Sequence, residues 1–449
     1  MTELHAGFAR CDITPDFGMP NSTGVECVVT EIMDPLYVTA LVLDDGQAKA
    51  VVIGADLCGF LQQADTQIRY SVARALAMSP DQIVLNASHT HSAPYLATEY
   101  ADLLQPYGLI VTDPTYVCHI QAQIVAAACE ASASAIPVQL RAGRGTVECV
   151  ASNRRLRMSD GTMISRHGRP PQVWRDLPEG LIDPEVRVVS FVDRQEQPVG
   201  FIVNYACHPT AAGGDLHGWV SADFVGYGLR PVEAALGGAL GLFLQGTAGN
   251  VGTGKWINDT PRGDAKAMGS RLAAGIMQAL AALEPVRGDQ LHIVRQHVPL
   301  QLDAFPTLAE MEQRLHTAAT SDDTHAVVAA GDALVIARRF ADFQQAPISA
   351  LTVGDMAIAF LPAEVFVEFG LQIQRNSPFR HTLVSAYNDD SLQYIPTKAA
   401  FDEGAYEVIG GWCYAKAGDG ETLTQGVLTL LNELNSGLAQ PSLPIILRS

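Results

Sequence analysis

"QIVLNASHTHSAP", residues 82–94, decides how the fold is read. Its apolar start is strand-like, and Ser, Thr and Pro then end the run. Two histidines, His89 and His91, stand at that end. On an extended segment a spacing of two turns both imidazoles to one face, which suits grasping or flanking one metal ion. Loop histidines with no ligand show the same spacing, so the pair alone leaves both readings open.

The pattern returns in "NYACHPTAAGGDLHGWVSADF" (204–224), where the strand-like "GFIVNYAC" runs into His208 and Pro209. Asp215, His217 and Asp223 follow, either as a polar solvated loop or as part of a site that leaves a second metal near Asp215 and His217 open. Two strands that each end in histidine point to one site, because sites in α/β folds lie at strand ends. In "GDMAIAFLPAEVFVEFG" (354–370), Glu364 follows another apolar run. It is either a helix N-terminal charge or a ligand. "YNDDSLQYIPTKAAFDEGAYEV" (387–408) reads by composition as a loop.

Around these segments, strand-like runs recur at 36–45, 50–57, 186–193 and 240–246. Residues 112–131 and 264–283 keep helical spacing behind plausible caps. The Asp-Gly of "LVLDDGQAKAVVI" and the Gly-Asp of "ISALTVGDMAIAF" predict hairpins. Mixed hairpins and crossovers predict an α/β fold with mixed β-sheets layered with helices. Residues 306–345 read as a helical excursion, two helices broken near "TSDDT". No linker or repeat divides the chain, so residues 1–449 are expected to form a single domain.

The balance of 48 acidic against 29 basic side chains gives a net charge of −19, which disfavours nucleic acid and anionic lipid as partners. The first residues lack a secretion signal and no apolar run is long enough to span a bilayer, so no membrane insertion is expected. Eight scattered cysteines without a C-x-x-C pair fit reduced thiols and a cytoplasmic protein. "GNVGTGKW" (249–256) approaches a phosphate loop, but Trp256 stands where the motif needs Ser or Thr, and "WINDTPRGD" reads as a loop where a helix should start. A metal-dependent barrel would also place an H-x-H at a strand end, yet the hairpins do not supply eight strand–helix units.

In order along the chain, these segments resemble the neutral ceramidase family of zinc-dependent amidases. "NASHTHSAP" is similar to its H-T-H-S-G-P segment, "ACHPT" to its His-Pro segment and "LPAEVF" to its P-G-E-F segment. "YNDDSLQYIPTKAAFDEGAYE", "GFARCDITP" and "ASNRRLR" (151–157) also have counterparts, so the likeness runs from Gly7 to about Trp412. The resemblance implies the family's catalytic domain without its immunoglobulin-like C-terminal domain. It implies one Zn²⁺ held by His89, His208, Glu364 and Tyr394, with His91, Arg154 and Tyr406 as catalytic groups and Asp223 behind the ligands; Asp56, at the end of "VVIGADL", either shapes a turn or orients a ligand.

Ala93, Tyr95 and Leu96 replace small residues after H-T-H, and Asn250 and Gly252 stand where the family's G-D-V-S-P has Asp and Ser. A serine nucleophile is therefore not available there, which favours metal-activated water. The expected function is cleavage of a C–N amide of a soluble small molecule, not of ceramide itself. The alternatives are hydrolysis of an ester, lactone or glycosidic bond, or a non-catalytic metal-binding homologue; a homo-oligomer stays open.

Overall fold

A computed structural model describes residues 3–21, 27–213, 217–302, 307–341, 344–409 and 412–438. Asp215, residue 306 and residues 342–343 lie outside the described residues, so the second-metal expectation is tested only at His217. That ring stacks obliquely on Trp219, with centroids 4.3 Å apart.

Three larger sheets, of five, five and four strands, enclose a shared apolar core. The first runs Ile83–Ala87, Lys49–Ala55, Tyr37–Asp44, His5–Asp12, Ile136–Pro137. The second runs Leu240–Gln245, Pro198–Tyr205, Glu185–Val192, Gln139–Thr146, Glu284–Pro285. The third runs Leu291–Pro299, Gln345–Val353, Met356–Phe360, His381–Ser385. Both predicted hairpins form: Asp44 pairs with Lys49, and Val353 with Met356.

Alternation along the strands explains the layering. Leu41 and Leu43, Val189 and Phe191, and Met356, Ile358 and Phe360 all point into the shared core. Val38, Ala40 and Val42 point the other way, onto the helices Gln62–Leu76 and Pro114–Ala133. Val186 and Val188 pack against Pro261–Ala281, and Ala357 and Ala359 face the side of Asp419–Asn435. Gly143 and Gly145 let Pro261–Ala281 lie directly on its sheet, since a Cβ at either would overlap a helix carbonyl. The capped helices start behind Asp113 and Thr260, whose side chains accept backbone N–H groups.

Each sheet contains one parallel pair: Lys49–Ala55 with Ile83–Ala87, Pro198–Tyr205 with Leu240–Gln245, and Met356–Phe360 with His381–Ser385. Parallel neighbours end at the same edge, so each sheet delivers two chain segments to one place. Buried amides stitch those ends together. Asn86 donates to Ser385 Oγ and Ala386 O, while its own oxygen accepts from Gln245 N. Asn204 donates to Leu244 O and Val384 O, joining the second sheet to the third.

The helical excursion comprises Leu308–Ala318 and Thr324–Ala341, broken at the predicted polar stretch. Its apolar face packs on Leu61, Ala97 and Leu104, beside the loop that follows His91.

Candidate metal centre

His89, His208 and Glu364 come together from the first, second and third sheets. Their donor atoms lie within 4.8 Å of one another. His208 Nε2 is 3.0 Å from Glu364 Oε2, and His89 Nε2 is 3.5 Å from the same oxygen.

Backbone carbonyls orient both imidazoles. His89 Nδ1 lies 2.6 Å from Cys58 O, and His208 Nδ1 lies 2.7 Å from Ala248 O. A carbonyl only accepts, so Nδ1 carries a proton in each ring, and Nε2 is the nitrogen turned toward Glu364. Cys58 follows the strand Lys49–Ala55, and Ala248 follows Leu240–Gln245. Each parallel pair thus supplies a histidine from one member and its orienting carbonyl from the other.

The strand Ile83–Ala87 stops before the histidines, and His89 has a φ of +63°. The H-x-H segment is therefore not extended, as its spacing implied. The turn still brings His91 Nε2 to 3.3 Å from His89 Nε2, and His91 N bonds Pro209 O in the His208 loop.

Burial pushes the His208 imidazole down to about 3, and Arg154 acts in the same sense, so this ring is neutral. Burial alone would raise the Glu364 carboxyl; the two imidazoles overcome that and hold it well below the ordinary carboxylate range. Two imidazole nitrogens and one carboxylate are a donor set suited to Zn²⁺.

Tyr394 is paired with Glu364 in a short parallel bridge. Its hydroxyl accepts from Arg154 at 3.3 Å, and the guanidinium also lies 5.5 Å from its ring centre. Arg154 donates further to Gly249 O and faces Glu407 Oε1 at 3.3 Å. Tyr406 stands outermost, 37% exposed, its ring 5.9 Å from that of Tyr394. All seven residues expected at the site therefore fall in one neighbourhood. Asp223, within electrostatic reach of His91, caps Ala212 N and Phe224 N, and Asp56 takes a structural role, accepting from Tyr37 N.

Three neighbours were not singled out from the sequence. Tyr387 lays its ring 4.2 Å from His89 and its hydroxyl 3.4 Å from His208 Nδ1. It follows the strand His381–Ser385, the same strand-end signal that marked the histidines. Fully buried Glu407 bridges Arg154 and Arg155. His167 meets the Tyr406 ring at 4.3 Å, and burial with nearby Arg154 holds it neutral. No pattern in "SRHGRP" would have marked it.

The glycine-rich loop 246–256 lies against this site. A Cβ at Gly249 would overlap Glu364 O, and one at Gly252 would meet Arg154 Cδ at 3.3 Å. The loop turns carbonyls inward, Ala248 O and Val251 O to His208 and Gly249 O to Arg154. Lys255 is spent on the carbonyls of Arg175 and Leu177. A phosphate loop would instead offer N–H groups and a free lysine.

The family model for neutral/alkaline non-lysosomal ceramidase, N-terminal, matches residues 6–247, more than half of the chain. The chain belongs to the neutral/alkaline ceramidase family. The matched span holds His89, His91, Arg154 and His208; Glu364, Tyr394 and Tyr406 lie beyond it. The crystal structure of neutral ceramidase from Pseudomonas aeruginosa superposes with a TM-score of 0.75 at 20% identity, covering 99% of this chain and 76% of that one. A ceramidase complexed with C2 gives 0.76 at 19% identity, covering 99% and 77%. A comparison with curated protein sequences finds no match. The ceramidase-family fold is thus shared across all three sheets. No helix among the described residues is long and apolar enough to cross a membrane.

Proposed function

We propose that this member of the ceramidase family is a zinc-dependent hydrolase that cleaves a C–N amide bond of a soluble small molecule with activated water. The observation that carries the proposal is the convergence of His89 Nε2, His208 Nε2 and Glu364 Oε2, with each Nδ1 pinned by a carbonyl. His89, His208, Glu364 and Tyr394 would hold the ion. When bound there, zinc brings the pKa of a water toward neutral and polarises the scissile carbonyl.

The protein's own groups supply the rest. His91, beside His89, accepts a proton from the attacking water and returns it to the leaving nitrogen. Arg154, held by Tyr394 and Glu407, donates to the carbonyl oxygen as negative charge grows there. Tyr406, at the rim, donates to the substrate's polar end. Gly252, where the family motif carries serine, leaves no hydroxyl at that position, which supports attack by water. The polar groups His167 and Tyr406, which lie outside buried Arg154, favour a soluble amide over ceramide. None of the eight cysteines forms a disulfide, in keeping with a cytoplasmic protein.

The test is hydrolysis of matched N-acyl amides, esters and lactones by chelator-stripped and zinc-reloaded protein. Amide turnover that disappears on stripping and returns with zinc is expected. Turnover unaffected by stripping, or confined to esters and lactones, would overturn the amidase reading.

A further inference from the structure

Tyr387 has no part in the hydrolysis proposed above, yet it touches the chain at each of the three clustered donors. It follows the strand His381–Ser385 and is buried, 7% exposed. Its ring centre lies 4.2 Å from that of His89, with the two planes only 32° apart. Its hydroxyl oxygen lies 3.4 Å from His208 Nδ1, and the two rings meet edge-on at 5.7 Å. Its backbone N–H donates to the carbonyl of Ala363, the residue before Glu364. Its own carbonyl accepts from the N–H of Ala87, on the strand that leads to His89.

These contacts are made from a costly backbone conformation. Tyr387 has a φ of +61°, in the left-handed region that bulky side chains avoid. Such a torsion persists only where the surroundings hold it, and it concentrates at functional sites. The hydroxyl does not account for it, because His208 Nδ1 already gives its proton to Ala248 O at 2.7 Å. The flat face of the ring does. One hydrogen bond to Cys58 O aims His89 Nδ1 without fixing the plane of the imidazole. His91 and His208 meet that imidazole edge to face, at 88° and 82°. Among these neighbours Tyr387 is the one that lies along it.

We propose that Tyr387 is a positioning residue that sets the metal affinity of the cluster by holding the plane of the His89 imidazole, so that Nε2 faces the Glu364 carboxylate. This rests on the zinc-dependent reading above and adds the group that aligns its ligands. The left-handed torsion is then the cost of laying a tyrosine face on one ligand while its main chain bonds the segments that carry the other two sheets' ends.

Zinc affinity, measured by competition with a chromophoric chelator on the purified full chain, tests this without recourse to turnover. Tyr387→Met fills the space but presents no flat face, and should weaken zinc binding about tenfold or more. Tyr387→Phe keeps the face and loses the hydroxyl, and should stay within about threefold of the wild type. Tyr116→Met, at a buried tyrosine of the helix Pro114–Ala133 whose hydroxyl bonds Ile13 O, reports the cost of core damage alone. It should lower the melting temperature of the zinc-free protein and leave zinc affinity unchanged. Affinity in Tyr387→Met no weaker than in Tyr116→Met overturns the inference. So does a loss of about tenfold or more in Tyr387→Phe, which decides the matter if Tyr387→Met does not fold. A wild type that binds no zinc removes the hydrolase proposal, and this one with it.

Discussion

Two segments, one lining the metal centre and one packed beside the loop after His91, are built in opposite ways. The loop 246–256 works through its backbone: carbonyls orient His208 and Arg154, and its glycines let it lie against Glu364. The excursion Leu308–Ala318 and Thr324–Ala341 packs through side chains, an apolar face toward Leu61 and Leu104 and the buried carboxyl of Asp332, which accepts the Tyr414 hydroxyl. The loop should be intolerant of any added atom yet indifferent to the chemistry of its lone lysine. The excursion should tolerate conservative changes along its apolar face.

Gly249→Ala should have the largest effect. With no space for a Cβ beside the Glu364 carbonyl, it is expected to cost about 3 kcal/mol in chemical denaturation and to lower metal content. Wild-type stability and metal content in this variant would remove the loop from the site. Next comes Arg154→Lys, which keeps the charge but loses the planar fork that reaches Gly249 O, Tyr394 and Glu407. It should lower kcat by about 10²-fold with little change in KM or melting temperature. A change confined to KM would make Arg154 a binding group only. Smallest is Lys255→Met, expected to cost about 1 kcal/mol through its lost carbonyl contacts and to leave turnover unchanged. A large loss of activity there would revive a ligand role for the loop.

Much of the site was legible because its residues sit at strand ends. Apolar runs followed by His89, His208 and Glu364 are local signals, and the folded sheets bring all three ends together. Tyr387 obeyed the same rule but sat at the head of a polar stretch that masked its strand. His167 and Glu407 come from loops and a short helix whose placement depends on long-range contacts, such as Arg155 reaching Glu407. The hairpins were legible from their turn residues. The third sheet's strand Leu291–Pro299 and the helix Gln62–Leu76 were not singled out, since weak local patterns there are fixed by burial against distant partners. The near-match to a phosphate loop misleads locally, because glycine spacing records backbone closeness without saying which backbone group faces inward.

The central claim is tested most directly by measuring metal content in purified wild type and in the His89→Ala, His208→Ala double variant, with folding checked by circular dichroism. The account predicts about one zinc per chain in the wild type and none in a folded double variant. Equal metal content in the two proteins would contradict it.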